Sequence, residues 1–459
     1  MNTNESLPKL DGFSGEIHTP ASDRYDALRT GWNVAIVHTP DLIAVARDES
    51  DVQAAVAYAH REGLKVTVKA TGHGQPRRAH GGLLLDVSQL DSVTIDPAAS
   101  TATIGGGVQW GKVIEAAHPH GLAPLNGSSP GVGVVGYTLG GGFGLMVRTY
   151  GLTADHVRSM RVVLPDGRLA TANREENSDL FWAMLGGGGA YGVVTQITMG
   201  LVPHAFAFGG NVMFDASRAE QVYGAWLDWT RDLPETVSSA VTMITFPPVP
   251  FVPEFLHGRS MLMLQACAAS DAAQGEALLK PMREMEGAEF DSFRWMPSLE
   301  FGSIYNDPVD PLPAGGRGAM LKELDREALA AFLAAVGEPS KSPNLMIQLR
   351  HIGGAMARVE REASPLGGRR DARYLVYYLG VPMAPEHPRL MAEHAESGLA
   401  ALQPWILSRG PLNFLGEGEV SAAHIREVFD APDYDRLCAV KRAHDPNGVF
   451  AHAGVGVAD

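Results

Sequence analysis

The sequence predicts an α+β protein built in two parts, from three observations. Its 459 residues suffice for roughly two or three domains at about 150 residues each. The first part alternates short apolar strands with helices and concentrates glycine, with 25 of the 52 glycines between Gly72 and Gly200. After about residue 204 the glycine clusters thin out. Longer strands then alternate with helices, as a second domain on a larger sheet requires.

In the first part, Leu42–Ala46 reads as a strand and Val52–Glu62 as a helix, with acidic caps at 48–51 and Gly63 at its end. Leu64–Ala70 alternates apolar and polar residues and is a strand running into Thr71-Gly72-His73-Gly74. Leu83–Val87, Val93–Ile95 and Thr101–Ile104 follow as strands, and Val108–Ala117 as a helix. Pro165-Asp166-Gly167 between Met160–Leu164 and Arg168–Thr171 is a hairpin signal. Ser178–Leu185 reads as a short helix capped by Ser178, emptying into Gly186–Gly189, and Val193–Met199 as a strand. In the second part Gly210–Phe214, Ser239–Phe246, Ser260–Ala266, Asn344–His351, Arg373–Val381 and Trp405–Phe414 are expected strands. Ala219–Arg231, Ala272–Met285 and Tyr434–His444 are expected helices. The stretches 247–253 and 307–317 are expected loops able to rim a pocket.

Composition narrows the function classes. Forty-five per cent of the chain is hydrophobic and 19% charged, so it can bury a full core. The net charge of −15 repels phosphate backbones, which argues against nucleic acid as a partner. Two cysteines, Cys267 and Cys438, exclude a disulfide scaffold and a thiolate-rich zinc site, and no metal site is expected. The polar start, MNTNESLPKLDG, carries no export signal, and a cytoplasmic location is the expectation. Asn126–Val147 is 22 residues without a charge, but eight are glycines, so a buried loop system is expected there and no membrane span.

Two nucleotide motifs lack their context. Gly131-x-Gly133-x-x-Gly136, followed by Asp155, fits the spacing of a Rossmann fingerprint. A turn precedes it and four more glycines follow by Gly144, so neither the strand before nor a stable helix after is expected. Gly106 to Lys112 fits the opening of a P-loop, but Val113 stands where the magnesium-binding hydroxyl belongs. The glycines fit better a flavin dinucleotide held by several loops, whose pyrophosphate charge backbone N–H groups neutralise. The turn 69–74, the stretch 128–144 and the run 186–192 offer three such loops.

The motifs LKVTVKATGHG, LLLDVSQLDSVTID, GSSPGVGVVGYTLGGGFG, YGLTADHV, LFWAMLGGGGAYGVVT and LCAVKRAHDPNGVF occur in that order between Trp32 and Phe450. In them the sequence resembles the FAD-linked oxidases of the vanillyl-alcohol oxidase/PCMH superfamily, in the berberine-bridge-enzyme-like branch, with the bacterial 6-hydroxynicotine-oxidase-like members nearest. The resemblance implies a PCMH-type bipartite FAD-binding domain, residues 1–204 completed by 411–459, around a substrate domain, residues 205–410, of antiparallel sheet covered by helices. It implies FAD contacts at Lys69, Ala70, Thr71, Gly72, His73, Gly74 and Gln75. Further contacts are implied at Ser128, Ser129, Gly133, Val134, Gly136, Tyr137, Gly140, Gly141, Gly142 and Gly144, at Asp155, and at Gly188, Gly189, Gly192, Val193 and Val194. His73 occupies the turn whose histidine bonds to the flavin 8α-methyl in the family, so one covalent link through His73 is expected.

The sequence departs from the family in three places. Ser129 stands where some members place a second attachment cysteine. The usual Tyr-x-Asn-Phe is Pro411-Leu-Asn413-Phe414, and the closing Asn-Gln is replaced around Ala451-His452-Ala453-Gly454. Val132 lies where the family controls oxygen access, and a small valine there resembles the oxidases. The substrate face is expected on NLMIQLRHI, where Met346, Gln348 and Arg350 share one side of a strand. Gln348, Arg350, Tyr378 and Asn413 are the candidate catalytic residues, with Tyr374 on the same face as Tyr378. Arg350 cannot serve as a base but can stabilise developing negative charge. The expected activity is an FAD-dependent oxidase that takes hydride from a C–H beside an alcohol or amine of a small molecule and reduces O2 to H2O2. The alternatives are a tailoring monooxygenase or cyclase, and a flavin-binding protein without activity.

Overall fold

The computed structural model describes residues 8–74, 78–250, 252–416, 419, 421–450 and 455. Gln75 and Ala451-His452-Ala453-Gly454 lie outside the described residues. Three sheets organise the rest, and the fold is α+β. A four-stranded sheet orders Glu16–His18, Leu42–Val45, Leu83–Asp86 and Val66–Lys69. Its last three strands run parallel, because helix Glu49–Glu62 provides a crossover connection. That helix forms where its local signals agree. The Asp48 side chain accepts the Asp51 N–H, Val52, Ala55, Val56 and Ala59 make one buried stripe, and Gly63 closes it at φ 68°.

A five-stranded antiparallel sheet orders Val93–Asp96, Thr101–Gly105, Val193–Gly200, Val157–Val163 and Leu169–Asn173. The tail of the chain returns to the first sheet. Val66 N–H donates to Val449 O at 2.7 Å, and Lys65 Nζ donates to Asn447 O and Gly448 O at 3.0 and 2.6 Å. Helix Ala431–His444 anchors this return through Lys441. Its buried ammonium donates to Ala190 O, Asp445 Oδ2 and Phe450 O at 2.5, 2.6 and 3.0 Å. The glycine-rich run and the C-terminal segment are thus held by one cation.

The third sheet has eight antiparallel strands, from Phe206–Asp215 to Ile406–Arg409 in sequence. Its order places Val237–Thr245, Met346–His351 and Tyr374–Gly380 side by side at the centre. Ile347, Leu349, Val376 and Tyr378 face the apolar layer made with helices Ala219–Arg231, Arg326–Val336 and His387–Ala401. The alternate residues Gln348, Arg350 and Tyr377 therefore project from the opposite face.

Four details differ from the sequence expectations. A six-residue helix, Val134–Leu139, forms inside the glycine-rich stretch. Tertiary packing overrides propensity there, since Val134 and Val135 are buried in the core beneath the loop. Its strand partner is missing as expected, with only an isolated bridge from Gly133 to Gln109. Strand Gly315–Leu321 begins inside the segment read as a loop to Arg317, because pairing with Tyr374–Gly380 extends it through two glycines. The last strand is shorter than Trp405–Phe414, ending at Arg409 before a single turn over Leu412–Phe414. Helix Ser178–Met184 starts one residue past Asn177, which adopts φ 49°, with no side-chain cap. No described helix is long and apolar enough to cross a membrane.

Candidate active site

Three glycine-bearing segments distant in sequence meet at one cleft. Strand Val66–Lys69 delivers the turn Ala70–Gly74. Gly72 has φ +72°, and a Cβ on it would lie 2.5 Å from Gly31 Cα, so only glycine fits either position. Trp32 N–H donates to Thr71 O at 2.8 Å and Asn33 N–H to Gly72 O at 3.2 Å. The Trp32 ring stacks on His73 at 4.5 Å and 13°, and His73 Nδ1 meets Thr71 Oγ1 at 2.9 Å. Burial pushes the His73 imidazole down to about 4, so it is neutral at pH 7.

The second segment lies against this turn. A Cβ on Gly133 would touch Thr71 Oγ1 at 3.5 Å, and one on Gly131 would sit 3.8 Å from Ser129 Oγ and 3.9 Å from His73. The third docks on the second, with Gly188 N–H donating to Leu139 O at 2.9 Å. Gly136 is exposed with nothing within 4 Å of a Cβ, and Gly188 and Gly189 are half-buried. Gly74 in the first segment is exposed and equally open, so bare backbone is accessible on all three segments.

Several expected cofactor contacts are used otherwise. The Lys69 ammonium is buried against Asp86 at 2.7 Å, so its charge is neutralised within the protein. Asp155 pairs with buried Arg370 at 2.6 and 3.0 Å and accepts the Leu152 N–H at 2.9 Å, so both of its oxygens are engaged within the protein. Val193 and Val194 are paired strand residues with side chains in two hydrophobic cores. Gly192 is glycine because Val162 Cγ1 would lie 2.6 Å from its Cβ, and Gly144 because Asn126 O would lie at the same distance. Close packing alone demands glycine at these two positions.

Opposite the glycine segments stands the open face of the eight-stranded sheet. Arg350 is half-buried, with its guanidinium carbon 5.1 Å from the Tyr305 ring centre and 5.2 Å from that of Phe414. Its Nε donates to Gln348 Oε1. Gln348 Nε2 donates to Thr242 Oγ1 at 2.5 Å, and Thr242 Oγ1 to Gln265 Oε1 at 2.7 Å. This buried chain of hydrogen bonds across three strands fixes the guanidinium. Gln348 is only 1% exposed, so it stands behind Arg350 as a positioning residue. A cavity between sheet and glycine loop is lined by Arg350, Tyr305, Ser128, Phe143, Gly144 and Cys267.

Two candidate catalytic residues are corrected. Tyr378 is fully buried on the helix side, with its hydroxyl filling the space above Gly398, where a Cβ would lie 2.0 Å away. Tyr374 is on that side too, hydrogen-bonded to Thr230 at 2.9 Å. The strand alternation instead turns Tyr377 towards Phe414, at 5.1 Å between ring centres, on the Arg350 side. Asn413 is a splint: its Oδ1 accepts the Gly142 N–H at 2.9 Å and its Nδ2 donates to Tyr137 O at 3.0 Å. Both ends of the amide are occupied by the glycine loop.

Tyr305, Asp307 and Glu419 escaped the sequence reading. Asp307 accepts a hydrogen bond from Ser128 Oγ, and Arg350 exerts its charge on it, yet burial holds its carboxyl above the usual range. Glu419 is 1% exposed and accepts the Gly416 N–H at 3.1 Å, and burial raises it to about 7. The only sequence signal for Asp307 was its proline-rich loop, which fixes no partner. The same loop reaches the His73 turn, since Trp32 Nε1 donates to Val309 O at 2.9 Å and Asn33 Nδ2 to Ala314 O at 2.8 Å.

Residues 40–173 match the model of an FAD-binding domain family. The chain is 28% identical over 461 residues to (R)-6-hydroxynicotine oxidase of Paenarthrobacter nicotinovorans, covering 96% of each. The chain is an FAD-linked oxidoreductase, similar along its length to that oxidase. It is also 26% identical to the xylooligosaccharide oxidase of Thermothelomyces thermophilus, over 97% of this chain and 91% of that one. The solved structure of berberine bridge enzyme from Eschscholzia californica shares its fold, with a TM-score of 0.78, 20% identity and 96% of each chain covered. The cleft of this FAD-linked oxidoreductase fits the cofactor. Accessible glycine backbone can approach a flat ring and a pyrophosphate, and with Lys69 neutralised by Asp86 the phosphate charge falls to backbone N–H groups. FAD-dependent oxidoreduction of small molecules is the activity class.

Proposed function

We propose that the protein is an oxidase that converts a C–H beside an alcohol oxygen or amine nitrogen of a small molecule to the carbonyl or imine level, with its flavin held by a single bond to His73. The observation that carries it is Arg350, held by side chains of the sheet and facing the loop that starts at Ser128. Bound FAD would supply the hydride acceptor and pass electrons to O2 to give H2O2. Arg350 stabilises negative charge that develops there, and the Gln348–Thr242–Gln265 chain holds it in place. Relatives named for a hydroxynicotine and for a xylooligosaccharide support the amine and alcohol classes.

The attachment has its own support. His73 is neutral and therefore nucleophilic, and Trp32 and Thr71 fix its ring. Ser129 borders the same glycine but offers a hydroxyl, a far weaker nucleophile than a thiolate. A panel of alcohols and amines under anaerobic conditions should contain a compound that bleaches the flavin, and admitting O2 should return the colour with peroxide. An oxygen atom retained in the product would instead mark a monooxygenase. Acid-precipitated protein should stay yellow and carry the flavin mass on the His73 peptide. His73→Ala should release its flavin and Ser129→Ala should not. Free FAD from the native protein would refute the covalent bond.

A further inference from the structure

The reaction needs a group to take the proton from the substrate O–H or N–H, and the residues on the sheet face leave that place open. Arg350 does not deprotonate and Gln348 has no basic atom. Position 411 is a proline, Tyr378 is turned into the helix layer, and Asn413 is occupied by the glycine loop. Tyr377 and Tyr305 are phenols whose burial raises them, which makes neither a ready acceptor.

Of the two carboxylates that act on Tyr377, Glu419 is bonded to the Gly416 N–H, and Asp307 is the one bonded to a residue that lines the cavity. Asp307 follows the turn Ser298–Ile304 of the central domain and crosses to the cofactor side, where Ser128 donates its hydroxyl to Asp307 Oδ2. Ser128 lines the cavity together with Arg350 and Tyr305. The loop is held at its far end. Asn33 receives the Ala314 N–H on Oδ1 at 3.0 Å and donates to Ala314 O at 2.8 Å, while Asn33 and Leu312 form a parallel bridge. The groups acting on Asp307 are therefore Ser128 from the glycine loop and Arg350 from the sheet, with Tyr305 two residues before it. Burial outweighs the first two and holds the carboxyl above the ordinary carboxylate range, nearer to the working pH of a proton acceptor.

Resting on the oxidase reading, we propose that Ser128 and Asp307 form a proton relay: Ser128 Oγ accepts the substrate proton while its own proton passes to the Asp307 carboxylate. The substrate O–H or N–H bond breaks, and its electron pair becomes the second bond of C=O or C=N. The C–H pair leaves as hydride, which bound FAD would accept, so the substrate loses two electrons and two hydrogens and one proton rests on Asp307. Arg350 offsets negative charge on the substrate heteroatom as the proton departs. Ser128 is the group that meets the substrate, and Asp307 acts through it.

The test uses the holoenzyme and the compound from the alcohol and amine panel that bleaches the flavin fastest. In the wild type, anaerobic bleaching should fall at low pH along a one-proton limb. Asp307→Asn should lower the rate about 10²-fold or more and erase that limb, with flavin content and helicity unchanged. Asp307→Glu should restore the limb in part. Ser128→Ala should lose rate comparably and should also move the Asp307 resonance, read by carboxyl NMR in aspartate-labelled protein without substrate. A limb that survives in Asp307→Asn, or an Asp307 resonance that Ser128→Ala leaves in place, would overturn the relay while the oxidase reading stood. A panel in which no compound bleaches the wild-type flavin would overturn the oxidase reading, and the relay with it.

Discussion

The two walls of the site hold their chemistry in different ways. The glycine wall is made from three short segments whose important groups are backbone atoms, and its close approaches join parts distant in the chain: Gly72 against Gly31, Gly133 against Thr71, Gly188 bonded to Leu139. The sheet wall is made of side chains set by other side chains, along one strand from Arg350 to Gln348 and then across strands through Thr242 to Gln265. A backbone site tolerates little added volume but asks nothing of side-chain charge. A side-chain site tolerates volume but depends on every donor and acceptor being matched.

The largest expected effect tests how far the glycine wall depends on a remote ion pair. Lys441 is buried with Asp445 and also donates to Ala190 O beside the glycine run. Lys441→Met leaves Asp445 as an unpaired buried charge and should cost about 3–5 kcal/mol, with flavin content falling in parallel; urea unfolding and the absorbance ratio of flavin to protein measure the two. Retained stability would show that the C-terminal segment is dispensable to this wall.

On the sheet wall, Arg350→Met should lower turnover about 10²–10³-fold with flavin still bound, read by anaerobic bleaching. Gln348→Leu should do less, because it removes the support and leaves the charge. Equal losses would mean that Gln348 meets the substrate itself.

The smallest effect concerns stability against pH. The Glu419 carboxyl is raised from 4.5 to about 7 by burial, so the folded state holds an extra proton across that window and stability falls as pH rises through it. Since one pKa unit is 1.36 kcal/mol, the loss is at most about 3.4 kcal/mol. Glu419→Gln keeps an acceptor for the Gly416 N–H and should flatten the fall between pH 4.5 and 7. Chemical denaturation at a series of pH values checks it, and an unchanged slope would place the titration elsewhere.

How much was legible follows the same division. The turn 70–74 and the helix 49–62 were readable because a positive φ, a cap and an apolar stripe are set within a few residues. The face shared by Gln348 and Arg350 was readable too, because strand alternation is a local rule. That Arg370 and Asp86 pair with Asp155 and Lys69 was not legible, because they lie 215 and 17 residues away in the chain. Tyr378 was misplaced because alternation says which residues share a side without saying which side is covered by helices.

The sequence by itself determined the glycine loops, the order of the motifs, the strand alternation and the imidazole at position 73, all of which are properties of neighbouring residues. Only the tertiary structure decided that Arg350 faces the loop beginning at Ser128, that Asp307 crosses from the central domain to meet it, and that Asn413 is held by Gly142 and Tyr137. The physical reason is that a hydrogen bond or an ion pair has no preference for sequence separation. Its partner is whichever group the packing of sheets and helices brings within about 3 Å.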